Sequence, residues 1–274
     1  MSRPTSIAVR PCPLARGATA AVICLAAALG PAGALGETTS VEETAVQPPT
    51  AAGTTKPATG GGSAPNTLTP KEKAAGWVLL FDGKSLEHWR GFRMQEIPAG
   101  WSVSEGAIRF VPPTEGTRAD IITREQYQDF ELALEWAVVP GANSGIFFHV
   151  SEDTQRTYET GPEFQVLDNA GHRDGQKPET SAGSNYALHP VEDVTRPVGE
   201  WNEARIRVEG ARVTHWLNGS KLLEYKLWTG KWKRLVAASK FAAMPGYGLN
   251  RTGHIALQDH GNEVRFRNLK IRPL

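Results

Sequence analysis

The chain predicts an all-β fold, an antiparallel β-sandwich or jelly roll with one short helix. Three observations carry that reading. Apolar residues recur at every second position in many short runs, as in Phe130, Leu132, Leu134, Trp136 and Val138. Gly-, Asn- and Pro-rich turn signals separate the runs. A helical period appears in only one stretch, and no 20- to 50-residue repeat is present, which argues against a propeller or solenoid.

The amino-terminal part is set apart by composition. Arg3, Arg10 and Arg16 precede an apolar run from Ala18 to Leu29, and Ala32, Gly33 and Ala34 offer small residues for cleavage. Residues 1–34 read as a secretory signal peptide. The run is shorter than the roughly 20 residues a membrane span needs, so no stable span is expected after cleavage. Ile23 before Cys24 argues against a lipoprotein site. The two cysteines, Cys12 and Cys24, fall in this segment, so the mature chain has neither disulfide nor thiol chemistry. Residues 35–75 are Thr-, Ala-, Pro- and Gly-rich and read as a disordered linker. The chain is expected to be exported, periplasmic or extracellular. A formal net charge of +1 over 274 residues gives no electrostatic reason to expect nucleic acid or an anionic membrane as partner.

The folded domain is expected over 76–274. Trp77 to Phe81 is an apolar run closed by Asp82 and Gly83. Trp101 to Val103 and Ala107 to Val111 flank Ser104, Glu105 and Gly106, a hairpin signal. Ala119 to Thr123 is a short strand, and Phe130 to Val138 a half-buried one. Pro140 to Gly145 turns the chain into Ile146, Phe148 and Val150. Phe164 and Val166 alternate with Glu163, Gln165 and Leu167. A loop from Asp168 to Asn185 follows, long enough to suggest function. Trp201 to Glu209 and Arg212 to Leu217 are strands, and the Asn218–Gly219 turn returns through Leu222 and Leu223. Lys231 to Lys240 has the helical period. His254 to His260 and Val264 to Ile271 read as a closing hairpin around Gly261 and Asn262, with a bulge near Arg267 and Asn268 because the apolar parity changes there.

Glu163, Gln165, Gln258 and His260 form the strongest constellation. Each pair shares a strand face, and neighbouring strands would place all four on one surface. Histidine exchanges protons near neutral pH. Side-chain amides both donate and accept, which suits sugar hydroxyls. Eight tryptophans also favour a carbohydrate partner, though most must be core. Plainer readings stand beside these: a cross-strand ion pair for Glu163, and a turn-bound histidine for His260. A conventional retaining glycosidase needs two carboxylates about 5 Å apart. The series Glu163, Gln165, Leu167 supplies one, and Asp168 has the wrong parity. Asp168, Asn169, His172 and Asp174 offer metal-binding atoms but match no defined loop signature, so Asp168 and Asp174 are weak metal candidates. Lys240, Asn143 and Arg267 can each be structural or face the site.

From Gly76 onward the chain resembles the family of 3-keto-disaccharide hydrolase domains. The resemblance rests on Leu80 to Leu86 with Trp89, Asn143 to Phe147, Glu163 to Asp168, Gly199 to Asn202, Asn218–Gly219, Ser239 to Phe241, Gly253 to Gly261 and Phe266 to Asn268. It implies a concanavalin A-like sandwich and cleavage of glycosides already oxidised at C3. A C3 ketone acidifies the C2 proton, so one base can drive β-elimination at C1, and water then adds. On that footing His260 is the base and Glu163 the acid or proton shuttle. Gln165, Gln258, Lys240, Arg267, Asn143 and Tyr186 hold substrate, and a divalent cation is an alternative partner for the enolate oxygen. His149 replaces an expected arginine, and Ser184–Asn185–Tyr186 an expected Ala-Leu-Tyr. A non-catalytic carbohydrate-binding module and an ordinary glycosidase are the competing readings.

Overall fold

A computed structural model describes residues 64–274. In chain order the elements are α1 (Pro70–Ala74), β1 (Val78–Leu79), β2 (Trp89–Gly91), β3 (Trp101–Ser104), β4 (Ala107–Phe110), β5 (Ile121–Thr123), β6 (Phe130–Val138), β7 (Asn143–Val150), β8 (Glu163–Leu167), β9 (Asn202–Glu209), β10 (Arg212–Leu217), β11 (Ser220–Lys226), α2 (Gly230–Ala237), β12 (His254–Leu257) and β13 (Val264–Pro273). The strands make two antiparallel sheets. An eight-stranded sheet runs β11-β10-β9-β6-β13-β4-β3, with β1 also on β13, and a five-stranded sheet runs β2-β5-β12-β7-β8. The expected all-β sandwich is the observed one.

Local chemistry explains the register. β3 and β4 join through Glu105 (φ 52°) and Gly106 (φ 69°), and β10 and β11 through Asn218 (φ 51°) and Gly219 (φ 82°). Both are two-residue turns whose paired positive φ values match strand twist. The parity change in β13 is a register shift between Arg267 and Lys270, with Asn268 at φ 57°. Phe266 and Leu269 therefore both reach the core.

Two expectations are corrected. β12 and β13 do not form a hairpin: β12 lies between β5 and β7 in the five-stranded sheet, and β13 between β6 and β4 in the other. Alternation fixes which face of a strand is apolar but not which sheet it joins. Segment 258–263 is thus a crossover between sheets. The linker expected through residue 75 ends earlier. Thr69 caps α1 in a reciprocal box with Glu72, Glu72 pairs with Lys270, and Asn66 accepts from the Asn268 N–H at 2.7 Å. Residues 1–63, with the expected signal peptide, both cysteines and the rest of the linker, lie outside the described residues. Among the described residues no helix is long and apolar enough to cross a membrane. The helix expected at Lys231 to Lys240 spans Gly230–Ala237, capped by Thr229, and a 3-10 turn carries Lys240–Ala243.

One core fills the space between the sheets. Phe164 and Val166 of β8, Ile146 and Phe148 of β7, and Phe266, Leu269 and Ile271 of β13 all belong to it. A smaller cluster (Phe92, Ile122, Phe147, Val150 and Ala256) covers part of the other face of the five-stranded sheet. His149 sits between these faces at φ 54°. Its ring packs edge-on against Phe130 and its Nε2 lies 2.8 Å from the Gln128 carbonyl. This residue is a buried bulge of β7, so its departure from the expected arginine is absorbed by packing.

Tryptophan placement also differs from expectation. Trp89, Trp101, Trp136 and Trp232 are buried. The other four each carry an arginine over the ring: Arg272 on Trp77, Arg267 on Trp201, Arg205 on Trp216 and Arg251 on Trp228, at 5.3, 4.1, 3.9 and 4.3 Å. These rings are occupied cation–π partners, not open stacking platforms for sugar.

Candidate active site

β7 and β8 build the first half of the site. Phe147 pairs with Glu163 and Gly145 with Gln165. Because Phe164 and Val166 point to the core, Glu163 and Gln165 point to the outer face of the five-stranded sheet. Glu163 is only 6% exposed. Among the described residues its carboxyl has neither a hydrogen-bond partner nor an ion pair. It lies over Gly145: a Cβ there would stand 2.3 Å from Glu163 Oε1, so glycine makes the space. Burial pushes the carboxyl up to about 8, although the Lys240 charge pulls the other way. At neutral pH this side chain is mostly a carboxylic acid.

The second half comes from loops. Ser239 caps the turn that carries Lys240, its Oγ accepting from the Phe241 N–H at 3.1 Å. Behind it Phe241, Tyr247, Trp232, Tyr225 and His189 stack in succession, with neighbouring ring centres 3.8 to 6.0 Å apart. Lys240 Nζ lies 4.0 Å from the centre of the Tyr186 ring. Burial lowers the Lys240 pKa while Glu163 and Asp174 oppose the shift. The Tyr186 hydroxyl donates to Asp174 Oδ2 at 2.9 Å, and the Asp174 N–H donates to His172 Nδ1 at 3.1 Å. His172 meets His260 edge-on, with ring centres 6.5 Å apart. Burial, with His172 adding to it, lowers the His260 pKa below the usual histidine value, so its imidazole is neutral at pH 7.

The crossover after β12 joins the halves. The Gln258 N–H donates to the Gly145 carbonyl at 3.0 Å, and its carbonyl accepts from Ser144 Oγ at 2.8 Å. Gln258 is thereby fixed beside the Glu163 site, and its Oε1 has no partner. Asp120, just before β5, accepts the Asp259 N–H at 2.9 Å and bonds Thr157 Oγ1. It holds the histidine-bearing crossover and the 155–160 loop together. Burial pushes its carboxyl up to about 6.

Of the residues expected from sequence, Glu163, His260, Lys240, Tyr186, Asp174 and Gln258 come together here. Asn143 lies at the start of β7 on the Gly145 side, its Oδ1 unpartnered. Gln165 is buried and already committed: its Nε2 reaches the Thr180 carbonyl at 3.4 Å and its Oε1 accepts the Val166 N–H at 3.1 Å. It fastens a loop and is not free to bind substrate. Arg267 projects from β13 on the outer face of the eight-stranded sheet, 2.5 Å from Glu135 and over Trp201, on the opposite side of the sandwich from Glu163. Asp168 spends one oxygen on the Gly141 N–H and the other on Ala170 and Gly171, so it shapes a loop. Among the described residues no group of three or more His, Cys, Asp or Glu side chains could hold a metal ion. The donor set does not fit the divalent cation considered from sequence. Sequence reasoning missed Asp120, which lies outside any alternating run, and the steric role of Gly145, which a glycine facing a glutamate strand could have signalled.

On its Gln258 and His260 side the site opens into a cavity of about 630 Å³. The fold and site together define a β-sandwich protein in which loops bring Lys240 and His260 toward the outer face of the five-stranded sheet that carries the buried Glu163.

Residues 76–272 match the 3-keto-alpha-glucoside-1,2-lyase-like domain model, and the chain belongs to that family. It is 36% identical over 230 residues to a 3-keto-disaccharide hydrolase of Bacteroides thetaiotaomicron, covering 73% of this chain and 79% of that one. A candidate glycosyl hydrolase of Parabacteroides distasonis is similar in structure, with 34% identity, a TM-score of 0.72 and coverage of 77% and 100% of the two chains. A second structure from that organism, also a candidate glycosyl hydrolase, shares 26% identity with a TM-score of 0.56, over 72% of this chain and 99% of that one.

Proposed function

We propose that this protein is a carbohydrate-active enzyme that cleaves 3-keto-glycosides or 3-keto-disaccharides. The observation that carries the reading is a buried, unpartnered Glu163, its carboxyl pushed up to about 8, set over Gly145, whose carbonyl holds the Gln258 crossover that leads to His260. Family membership and the keto-disaccharide hydrolase relative support the substrate class.

In this mechanism His260 removes the C2 proton, which the C3 ketone acidifies. The electron pair moves to the C3 oxygen, and the Lys240 ammonium stabilises that negative charge. Collapse of the enolate expels the C1 substituent, and Glu163 gives its proton to the departing oxygen. Water then adds across the C1–C2 double bond, restoring the proton inventory. Gln258 and Asn143, each with an unpartnered buried amide oxygen, bind sugar hydroxyls.

One observation favours a second reading. Asp120 and Asp174 both push the Glu163 pKa upward through their charge, so three carboxyl groups share the region although the strand pattern alone supplied one. Direct hydrolysis of an unoxidised glycoside would use such a pair. The full chain is therefore incubated with a 3-keto-glucoside and its unoxidised parent, and products are followed by mass spectrometry. Cleavage of the keto sugar alone supports elimination; cleavage of both replaces it with direct hydrolysis. Binding without cleavage of either makes the protein a lectin-like module. Export is proposed on residues 1–34; mature protein beginning after Ala34 in the cell envelope or medium would support it.

A further inference from the structure

The cavity beside His260 has a use that the elimination chemistry leaves unassigned. Its walls include Arg93, Arg118, Asp120, Arg156, Gln258 and His260. At about 630 Å³ it has room for a small-molecule group. Its charges are not balanced. Arg118 is held by Asp259 through two bonds of 2.9 and 2.6 Å, so that pair is closed. Asp120 is committed to Thr157 Oγ1 and the Asp259 N–H. The Arg93 N–H donates to Glu152 Oε1 at 2.6 Å, while its guanidinium bonds only the Thr154 carbonyl, at 3.0 Å. Among the described residues neither Arg93 nor Arg156 has an ion-pair partner. Two guanidiniums thus border an open cavity that the candidate base His260, itself exposed, also lines.

We propose that this cavity is the leaving-group subsite and that it takes an aglycone bearing an anionic substituent, held by Arg93 and Arg156. The inference rests on the glycoside-cleaving reading above. Arginine suits the role because its planar fork pairs with carboxylate or phosphate oxygens. The position also suits it: an aglycone leaving C1 departs from the sugar toward the open side of His260.

The test compares 3-keto-glucosides of 4-hydroxybenzoate, 4-hydroxyphenyl phosphate and neutral 4-hydroxybenzamide. The anionic substrates are expected to exceed the benzamide by roughly 10-fold in kcat/KM at low salt, mostly through KM, with the advantage shrinking in salt. The ratio should fall to about 1 in the double variant Arg93→Gln, Arg156→Gln, whose thermal melt checks folding. Whichever anion leads identifies the preferred group. Equal turnover of all three, or a preference that survives the double variant, would overturn the proposal. Calorimetry with free 4-hydroxybenzoate and 4-hydroxybenzamide separates this failure from failure of the catalytic reading. If no keto-glucoside is cleaved but only the benzoate binds, and the double variant loses it, the anion subsite stands without the chemistry. If neither free compound binds and no substrate is cleaved, the subsite is rejected with the function.

Discussion

Replacing Glu163 by Gln separates its catalytic role from its cost to the fold. The carboxyl is held at about 8 against an ordinary 4.5, and burial is the cause. Between those pH values the folded protein keeps a proton that the unfolded chain has lost. The unfolded state binds fewer protons there, so stability falls as pH rises and the full penalty is present above pH 8. At about 1.36 kcal/mol per pH unit the ceiling is about 5 kcal/mol. Lys240 offsets part of it, since the variant also strips the lysine of a partner. We expect Glu163→Gln to be more stable by about 2 kcal/mol at pH 9, a Tm rise of roughly 4–8 °C for a domain of this size. At pH 3.5, below the unfolded value, the two proteins should melt within about 1 °C, because Glu163 is then neutral in both the folded and the unfolded chain. The same variant should lose roughly 10²- to 10⁴-fold in kcat/KM on a 3-keto-glucoside, having no proton to give. The assay is a pair of thermal melts across pH 3.5–9 with a rate measurement at pH 7. A melting difference that does not grow with pH, or a variant less stable at pH 9, would refute the buried-acid argument whatever the activity.

His260→Ala should reduce turnover roughly 10²- to 10⁴-fold, and near-normal turnover would remove the base assignment. The wild-type kcat/KM profile should be bell-shaped: it falls on the acid side as His260 gains a proton below the usual histidine pKa, and on the basic side near pH 8 as Glu163 loses one. Gly145→Ala should abolish activity and destabilise by roughly 1–3 kcal/mol, measured by denaturant melts, because its methyl group would enter the Glu163 carboxyl. Arg267→Ala should leave kcat/KM within twofold while lowering stability by about 1 kcal/mol through loss of Glu135 and Trp201 contacts. A chain begun at Gly76 should melt below one begun at Ala64, since it lacks the Glu72–Lys270 pair and the Asn66 bond to Asn268.

Much of the fold was legible because it is local. Alternation located Phe130–Val138 residue for residue, and Glu105–Gly106 and Asn218–Gly219 marked their hairpins. The β13 bulge could be read from the parity change between Phe266 and Leu269. What stayed hidden was non-local. Whether β12 and β13 share a sheet depends on partners more than 100 residues earlier in the chain. Gly76 looked like a domain start because α1 has no buried residue to give it a pattern. At the site, Glu163 was readable on a marked strand face; His260 was readable as a residue type, although it stands on the crossover after β12 and not on the strand face its spacing from Gln258 suggested. Asp120 was not, since its importance arises from folding against Asp259 and Thr157.

The two outer faces explain why Gln165 and Arg267 misled. Both sheets present polar residues at alternate positions, so composition alone cannot separate a working face from a sealed one. On the eight-stranded sheet the polar groups close on each other. Glu131, at least as buried as Glu163, is met by Arg205, Arg207 and Arg272 at 3.1, 3.5 and 2.7 Å. Its charge is compensated where it is buried. Glu163 has the same side-chain chemistry and comparable burial, yet no arginine reaches it, and Gly145 supplies space in place of a partner. A buried carboxyl left unpaired is costly, and the fold retains it near a lysine, Lys240, that stops short of an ion pair. That asymmetry between Glu131 and Glu163 is why the proposed chemistry is assigned to the five-stranded sheet. An arginine introduced at Gln165 tests the argument: it should pair with Glu163, return its pKa toward 4.5, and shift the basic limb of the rate profile downward. A basic limb left near pH 8 would mean that a group other than Glu163 sets it.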